Sequence, residues 1–356
     1  MSTKHPRNEE VKRAFFHLLR HADGKSEATI RQVSMAIARY ETFTKSACFK
    51  TFDQRRAVAF KEHMAEQNLA VATIHSTIKA VKRFFSWLAM QPGYKSRITL
   101  NDVEYLNLSD RAVRAATSDT EKPFPTLAMV ETVIAAMPDT SDIEKRDRAL
   151  LAFGAISGIR AGALISLKRK HFDTRRRLVI QDPREVHTKN RKRIDTFLFP
   201  LNDKFNAIFD EWIDHYDNTL LFGPEDPLFP ATLMAQDNEK QFRAAGLSRT
   251  HWKTASPMRK IYAQAFEAVG LPVFNPHSFR KMIVHEMYRR ELPLVTCKAW
   301  SQNLGHDSAM TTLTSYGKLS LEEQGREIMR TFEATESYGE AQLLSKVRML
   351  LDNQAE

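Results

Sequence analysis

The apolar spacing along this chain is helical almost throughout and changes period in one region, which limits what it can fold into. Ser26 reads as a helix N-cap with Glu27 in the first turn, and Ile30, Val33, Ile37 and Tyr40 then recur at spacings of three and four. Asp53 reads as the cap of a second helix, with Val58 and Met64 turned inward. A third helix has the most regular stripe, Ile74, Ile78, Val81, Phe85 and Leu88, with Lys79, Lys82 and Arg83 on its other face and Pro92-Gly93 as a break. No strand pattern precedes Leu100. Period two arrives at Phe172, where Leu178-Val179-Ile180 and Thr196–Pro200 read as two strands around a basic hairpin tip, P-R-E-V-H-T-K-N-R-K-R-I. The helical period resumes over Asp203–Tyr216. The fold class is thus mainly α with a small β-sheet (α+β), led by an all-helical module.

The remaining segments fill in this outline. Residues 1–25 are polar and read as a loose arm with one short helix near Val11–Leu19. Residues 108–125 are polar, end in two prolines, and read as a linker between a helical module, 1–107, and a larger domain, 126–335. Thr126 caps a helix with Leu127, Val130, Val133 and Met137 inward. Asp142 opens a helix that is nearly all apolar from Ala149 to Ile156 and stops at Gly158, the pattern of a central core helix. Gly223–Ser248 reads as a long surface loop. Ser256-Pro257 starts another helix, which Gly270 ends. The acidic end of the chain has apolar positions for two amphipathic helices, the last of them a tail over 336–356.

Composition narrows the class of partner. The 356 residues are 42% hydrophobic and 27% charged, ordinary for a globular protein. No apolar run approaches the ~18–20 residues needed to span a bilayer, and the first ten residues have no apolar core of a signal peptide, so a cytoplasmic, nucleoid-associated protein is expected. Cys48 and Cys297 stand far apart, as reduced thiols do. Net charge is +10, and residues 1–122 hold 21 Lys and Arg against 13 Asp and Glu. An excess of cations on a small helical module is the footprint of a nucleic-acid partner, although a well-solvated surface has the same composition. No phosphate-binding glycine loop and no zinc-protease helix occurs, and no cofactor or metal is expected.

The chemistry gathers between Asn275 and Tyr316. Asn275 is a good N-cap and Pro276 suits the first helical position, so His277 and Arg280, three apart, are expected to project from the same face of the first turn. That turn offers unpaired N–H groups and a positive dipole end, and arginine adds a planar fork matched to phosphate oxygens. Phe279, Ile283 and Met287 take the core side. Gly305 is a helix stop that leaves His306 on a tight turn, and Tyr316 sits among small hydroxyl residues rather than aliphatic ones. Tyrosine can form a covalent phosphoryl intermediate, but with a pKa near ~10 it needs its proton removed or the phosphate made electrophilic.

At this point the sequence resembles the tyrosine recombinases, or phage-type integrases. The resemblance is carried by G-I-R-A-G-A-L (Gly158–Leu164), the basic hairpin T-K-N-R-K-R, H-S-F-R (His277–Arg280), L-G-H (Leu304–His306) and T-T-L-T-S-Y (Thr311–Tyr316), in the family's order. It covers about residues 123–335 by motif, and extends to the helical module in front. It implies a core-binding, SAM-like helical domain followed by a catalytic domain, closing as a clamp on double-stranded DNA. Arg160 and Arg280 would hold the scissile phosphate, His277 would assist proton transfer, and His306 would bond a phosphate oxygen. Tyr316 would attack to leave a 3′-phosphotyrosyl link, and Lys189, with Lys192 the alternative, would protonate the departing 5′-oxygen. Arg31, Arg39, Lys79, Lys82 and Arg83 are candidate phosphate contacts. A homotetramer over two DNA sites is implied, with accessory DNA-bending proteins as further partners. Two departures stand out. Ala163 occupies a place where the family has an acid, and one extra residue separates His306 from Tyr316. Ala163 keeps a second reading open: a catalytically weakened, recombinase-like DNA-binding regulator.

Overall fold

The computed structural model describes residues 5–109, 113–114, 123–236, 240–290, 292–306 and 324–325. The chain divides into two compact units, Met1–Thr120 and Glu121–Glu356. Among the described residues no helix is long and apolar enough to cross a membrane.

The first unit is helical: α1 (Pro6–His21), α2 (Glu27–Phe43), α3 (Gln54–Glu66), α4 (Val71–Leu88) and the short α5 (Leu100–Glu104). Ser26 and Asp53 cap α2 and α3 as their side chains accept the backbone N–H of Thr29 and Arg56. The core is unusually aromatic. Phe52 stacks on Phe85 with centroids 3.9 Å apart, and Tyr40 meets Phe85 edge-on at 4.9 Å. Such pairs add about 0.5–1.5 kcal/mol each beyond area burial. On α3 the inward face is Ala57, Phe60 and Met64, with Val58 only half-buried. The expected loose arm is a 16-residue helix instead, with Phe15 and Leu19 fully buried. Its polar start conceals a buried Asn8, whose Nδ2 donates to Ala47 O at 2.9 Å while its Oδ1 accepts Phe49 N–H at 3.1 Å. A polar residue thus anchors α1 to the loop after α2, which apolar periodicity cannot register.

The second unit is built on α7 (Asp142–Ser157), buried continuously from Ala149 to Ser157 as the sequence predicts. Its N-cap is Ser141, one residue before Asp142, in a capping box with Glu144. Packed in the same core are α6 (Leu127–Ala136), α8 (Ala161–Leu164), α9 (Asp203–Asp214), α10 (Ser256–Ala268), α11 (Pro276–Arg289) and α12 (Leu294–Asn303). An antiparallel sheet runs in the order β1 (Phe172–Asp173), β2 (Leu178–Gln181), β3 (Ile194–Phe197), with Val179 opposite Thr196 and Gln181 opposite Ile194. β3 stops at Phe197, short of Pro200, because Phe199 N–H turns away to Ile156 O on α7 at 2.7 Å.

The expected surface loop Gly223–Ser248 contains a second hairpin, β4 (Thr232–Gln236) and β5 (Phe242–Leu247). Both of its faces are largely exposed, so no apolar–polar alternation marks it in the sequence. Helix α10 begins with Ser256 inside the helix and Ala255 at the cap, a shift of one from the expected start.

Candidate active site

The site forms where α7, α11 and α12 end or begin near one another. Asn275 Oδ1 accepts the His277 N–H at 2.9 Å, which fixes the start of α11. One turn on, Arg280 does not share the outer face with His277. It is 2% exposed and points into the junction between helices. Its Nη1 donates to Gly158 O at 3.1 Å, and its Nη2 donates to Leu304 O. One guanidinium therefore joins the C-terminal ends of α7 and α12 through backbone carbonyls. Ala163, where the resemblance led to the expectation of an acid, is buried in the core.

Two glycines make the approach close enough. Gly158 ends α7 in the left-handed conformation, φ 59°, and a Cβ there would lie 2.8 Å from Ile283 Cδ1 and 2.9 Å from Leu304 Cδ2. Gly305 has φ 68°, and a Cβ on it would come within 2.7 Å of Ile194 on β3. His306 follows directly, buried, with its backbone N–H donating to Ser301 O at 3.1 Å.

Arg160 takes the N-cap position of α8, two residues beyond Gly158, and is half-buried. The segment after β2 is fixed to α8 at Ser166, whose Oγ accepts His187 N–H at 2.9 Å and donates to Ala163 O at 2.9 Å. The chain then makes a tight turn at Lys189–Arg191, with Asn190 and Arg191 both at positive φ, 59° and 53°. Lys189 and Lys192 are both exposed there.

The field at His277 reports which of these groups converge. Its imidazole is held below the ordinary value, first by burial and then by the charges of Arg280, Arg160, Lys281 and Lys189. His277 as a whole is exposed at the start of α11. Arg160, Lys189, His277 and Arg280 thus share one electrostatic site, with His306 joined to it through Leu304. The charge of Lys281, which the sequence reading passed over, belongs to the same field, and its place next to Arg280 was the available signal. Tyr316 lies outside the described residues, as does the tail over 336–356.

The candidate DNA contacts of the first unit differ in availability. Arg31 and Lys79 are exposed on α2 and α4. Arg39 Nη1 donates to Thr77 Oγ1 at 2.9 Å, Lys82 pairs with Glu104 at 3.0 Å, and Arg83 pairs with Asp23. The Lys82 and Arg83 pairs lie at the surface, where solvent screens them and phosphate can displace the carboxylates at low cost.

The phage integrase family model matches residues 126–323, and the model of the phage integrase N-terminal SAM-like domain matches residues 13–93. The chain belongs to the phage integrase, or tyrosine recombinase, family. No curated protein matches it by sequence. Among solved structures it is similar to a lambda integrase dimer bound to a COC′ core site, at TM-score 0.59 and 15% identity over 87% of this chain and 95% of that one. It is also similar to the Tn1549 transposon integrase in complex with transposon right end DNA, at TM-score 0.58 and 15% identity over 90% and 98% of the two chains. A lambda integrase tetramer bound to a Holliday junction aligns at TM-score 0.59 and 16% identity, over 88% of this chain and 79% of that one. At such identities the likeness is one of fold. It is the fold expected from the sequence: a SAM-like helical domain followed by a mostly helical catalytic domain with small antiparallel sheets.

Proposed function

We propose that this chain is a site-specific DNA recombinase that cuts and rejoins duplex DNA through a 3′-phosphotyrosyl intermediate. The observation that carries the reading is the junction at which Arg280 ties the ends of α7 and α12, with Arg160 two residues beyond Gly158 and His277 one turn before Arg280, in a chain of the phage integrase family. Arg160 and Arg280 stabilise the charge that builds up as phosphorus becomes five-coordinate, Arg280 from the buried junction where the Gly158 and Leu304 carbonyls hold it. His277, whose charged form is disfavoured by burial and then by its cationic neighbours, takes the proton from the Tyr316 hydroxyl as that oxygen attacks. The P–O5′ bond breaks, and Lys189 supplies a proton to the departing 5′-oxygen. His306 donates to a phosphate oxygen. The bond energy stays in the phosphotyrosine, so the attack of a free 5′-hydroxyl from another strand reverses the chemistry without an external energy source.

The basic helical unit supplies sequence-independent attraction to DNA, with Arg31 and Lys79 as its most accessible candidates. Lambda and Tn1549 integrases are seen on DNA, and lambda integrase as a tetramer on a Holliday junction. By that likeness a tetramer on two DNA sites is the proposed working assembly, in a cytoplasmic setting. A nicked suicide substrate tests the reading, because the cut fragment diffuses away and traps the intermediate. The expected result is a protein–DNA adduct that survives denaturant, with a free 5′-hydroxyl on the released strand. Tight binding to a cognate site with no adduct would instead make the chain a DNA-binding regulator.

A further inference from the structure

We infer that Asn303 is a positioning residue that locks the hairpin carrying the general acid onto the helix end carrying His306. The inference rests on the recombinase reading above. Asn303 is the last residue of α12, and its side chain behaves as a substitute peptide on the edge of β3. Its Oδ1 accepts the Phe197 N–H at 2.7 Å, and its Nδ2 donates to the Phe197 carbonyl at 2.8 Å. A side-chain amide that exchanges both bonds with one residue copies the pattern of a hydrogen-bonded strand pair.

The tie continues into the sheet. Thr196 Oγ1 donates to Asn303 O at 2.9 Å, and Gln181 Nε2 on β2 donates to Thr196 Oγ1 at 3.0 Å. Gln181 and Thr196 are both buried, so the bond between them is shielded from competing water, while the Asn303 amide closes the open edge of β3 at the surface. Both strands of the hairpin are thereby fixed to the residue just before Leu304, whose carbonyl holds Arg280. Ile194, the first residue of β3, packs against Gly305. The hairpin between β2 and β3 bears Lys189, and His306 lies three residues beyond Asn303. Asn303 is thus the fastener between the acid on one side of the phosphate and the phosphate-holding groups on the other. It touches no reacting atom and acts through the strand.

The test compares two suicide substrates, one with the ordinary 5′-oxygen and one with sulfur in that bridging place. A thiol, with a pKa near ~8.5, leaves as its anion and needs no general acid. Asn303→Ala is expected to slow adduct formation on the ordinary substrate by about tenfold or more, part of what general acid catalysis supplies, and by less than about twofold on the sulfur substrate. Thr196→Val cuts the parallel tie, the one from the strand to the Asn303 backbone carbonyl, and is expected to give a split in the same direction. Hydrogen exchange on the free protein should rise over residues 182–197 in Asn303→Ala and stay unchanged over 276–287. An equal loss on both substrates, or unchanged exchange in the hairpin, overturns the role of Asn303 and leaves the recombinase reading standing. A wild type inert on both substrates overturns that reading and this inference with it.

Discussion

His277 shows how a residue's surroundings set its role. Burial and then Arg280, Arg160, Lys281 and Lys189 disfavour its charged form, which favours the state in which one ring nitrogen keeps a lone pair to accept a proton. Adduct formation should therefore lose rate as pH falls through the pKa of His277, which lies below the ~6.5 of a free imidazole. In His277→Gln that acid limb should vanish, with the rate at neutral pH down by about a hundredfold. An unchanged limb in the variant would assign it to another group. The linked stability effect has a fixed sign. The unfolded chain protonates this histidine near ~6.5 while the folded protein still keeps it neutral, so the unfolded state binds more protons in that window. Stability from this group is full above the window and falls as pH drops through it. Melting curves of the wild type and His277→Gln should diverge on going from neutral to mildly acidic pH, with the wild type losing more. His171 and His251, also lowered by burial, are present in both proteins and cancel in the comparison.

At the scale of elements, long-range polar ties hold the helices in register. Arg146 on α7 is 1% exposed. Its Nη1 donates to Pro230 O, its Nη2 to Thr232 Oγ1 at 3.1 Å, and its Nε to Asp147 at 2.6 Å, with Trp252 under the guanidinium at 5.0 Å. Arg146→Met leaves Asp147 without its counter-charge and the Pro230 carbonyl without its donor, and should cost about 3 kcal/mol in urea unfolding. A loss below about 1 kcal/mol would contradict that role. These ties also mark where the sequence stopped being legible. Caps such as Ser26, Asp53 and Asn275 bond residues two or three positions away, so their signature is local and each was readable. Asn8, Arg146 and Asn303 find partners 39, 84 and 106 residues away, and no periodicity encodes those pairings. The site divides in the same way. Arg160, His277, Arg280 and His306 could be proposed from the sequence because their chemistry is in the side chain. The carbonyls that orient Arg280 could not, because any residue carries one.

At the scale of the molecule, under the proposed function, the chain's +10 charge and its basic helical unit set how it would meet DNA. Phosphate contacts release counterions, so affinity should fall linearly on a log–log salt plot. Lys79→Ala should lower that slope by about one and weaken all sequences alike, whereas an unchanged slope would remove Lys79 from the interface. Salt dependence describes binding, however, and the central claim concerns a bond. The most direct measurement is the covalent adduct on a nicked suicide substrate carrying the cognate site, run with the wild type and Tyr316→Phe. The account predicts a denaturant-resistant adduct with the wild type and none with Tyr316→Phe. An adduct of equal yield in Tyr316→Phe, or none with the wild type, would contradict it.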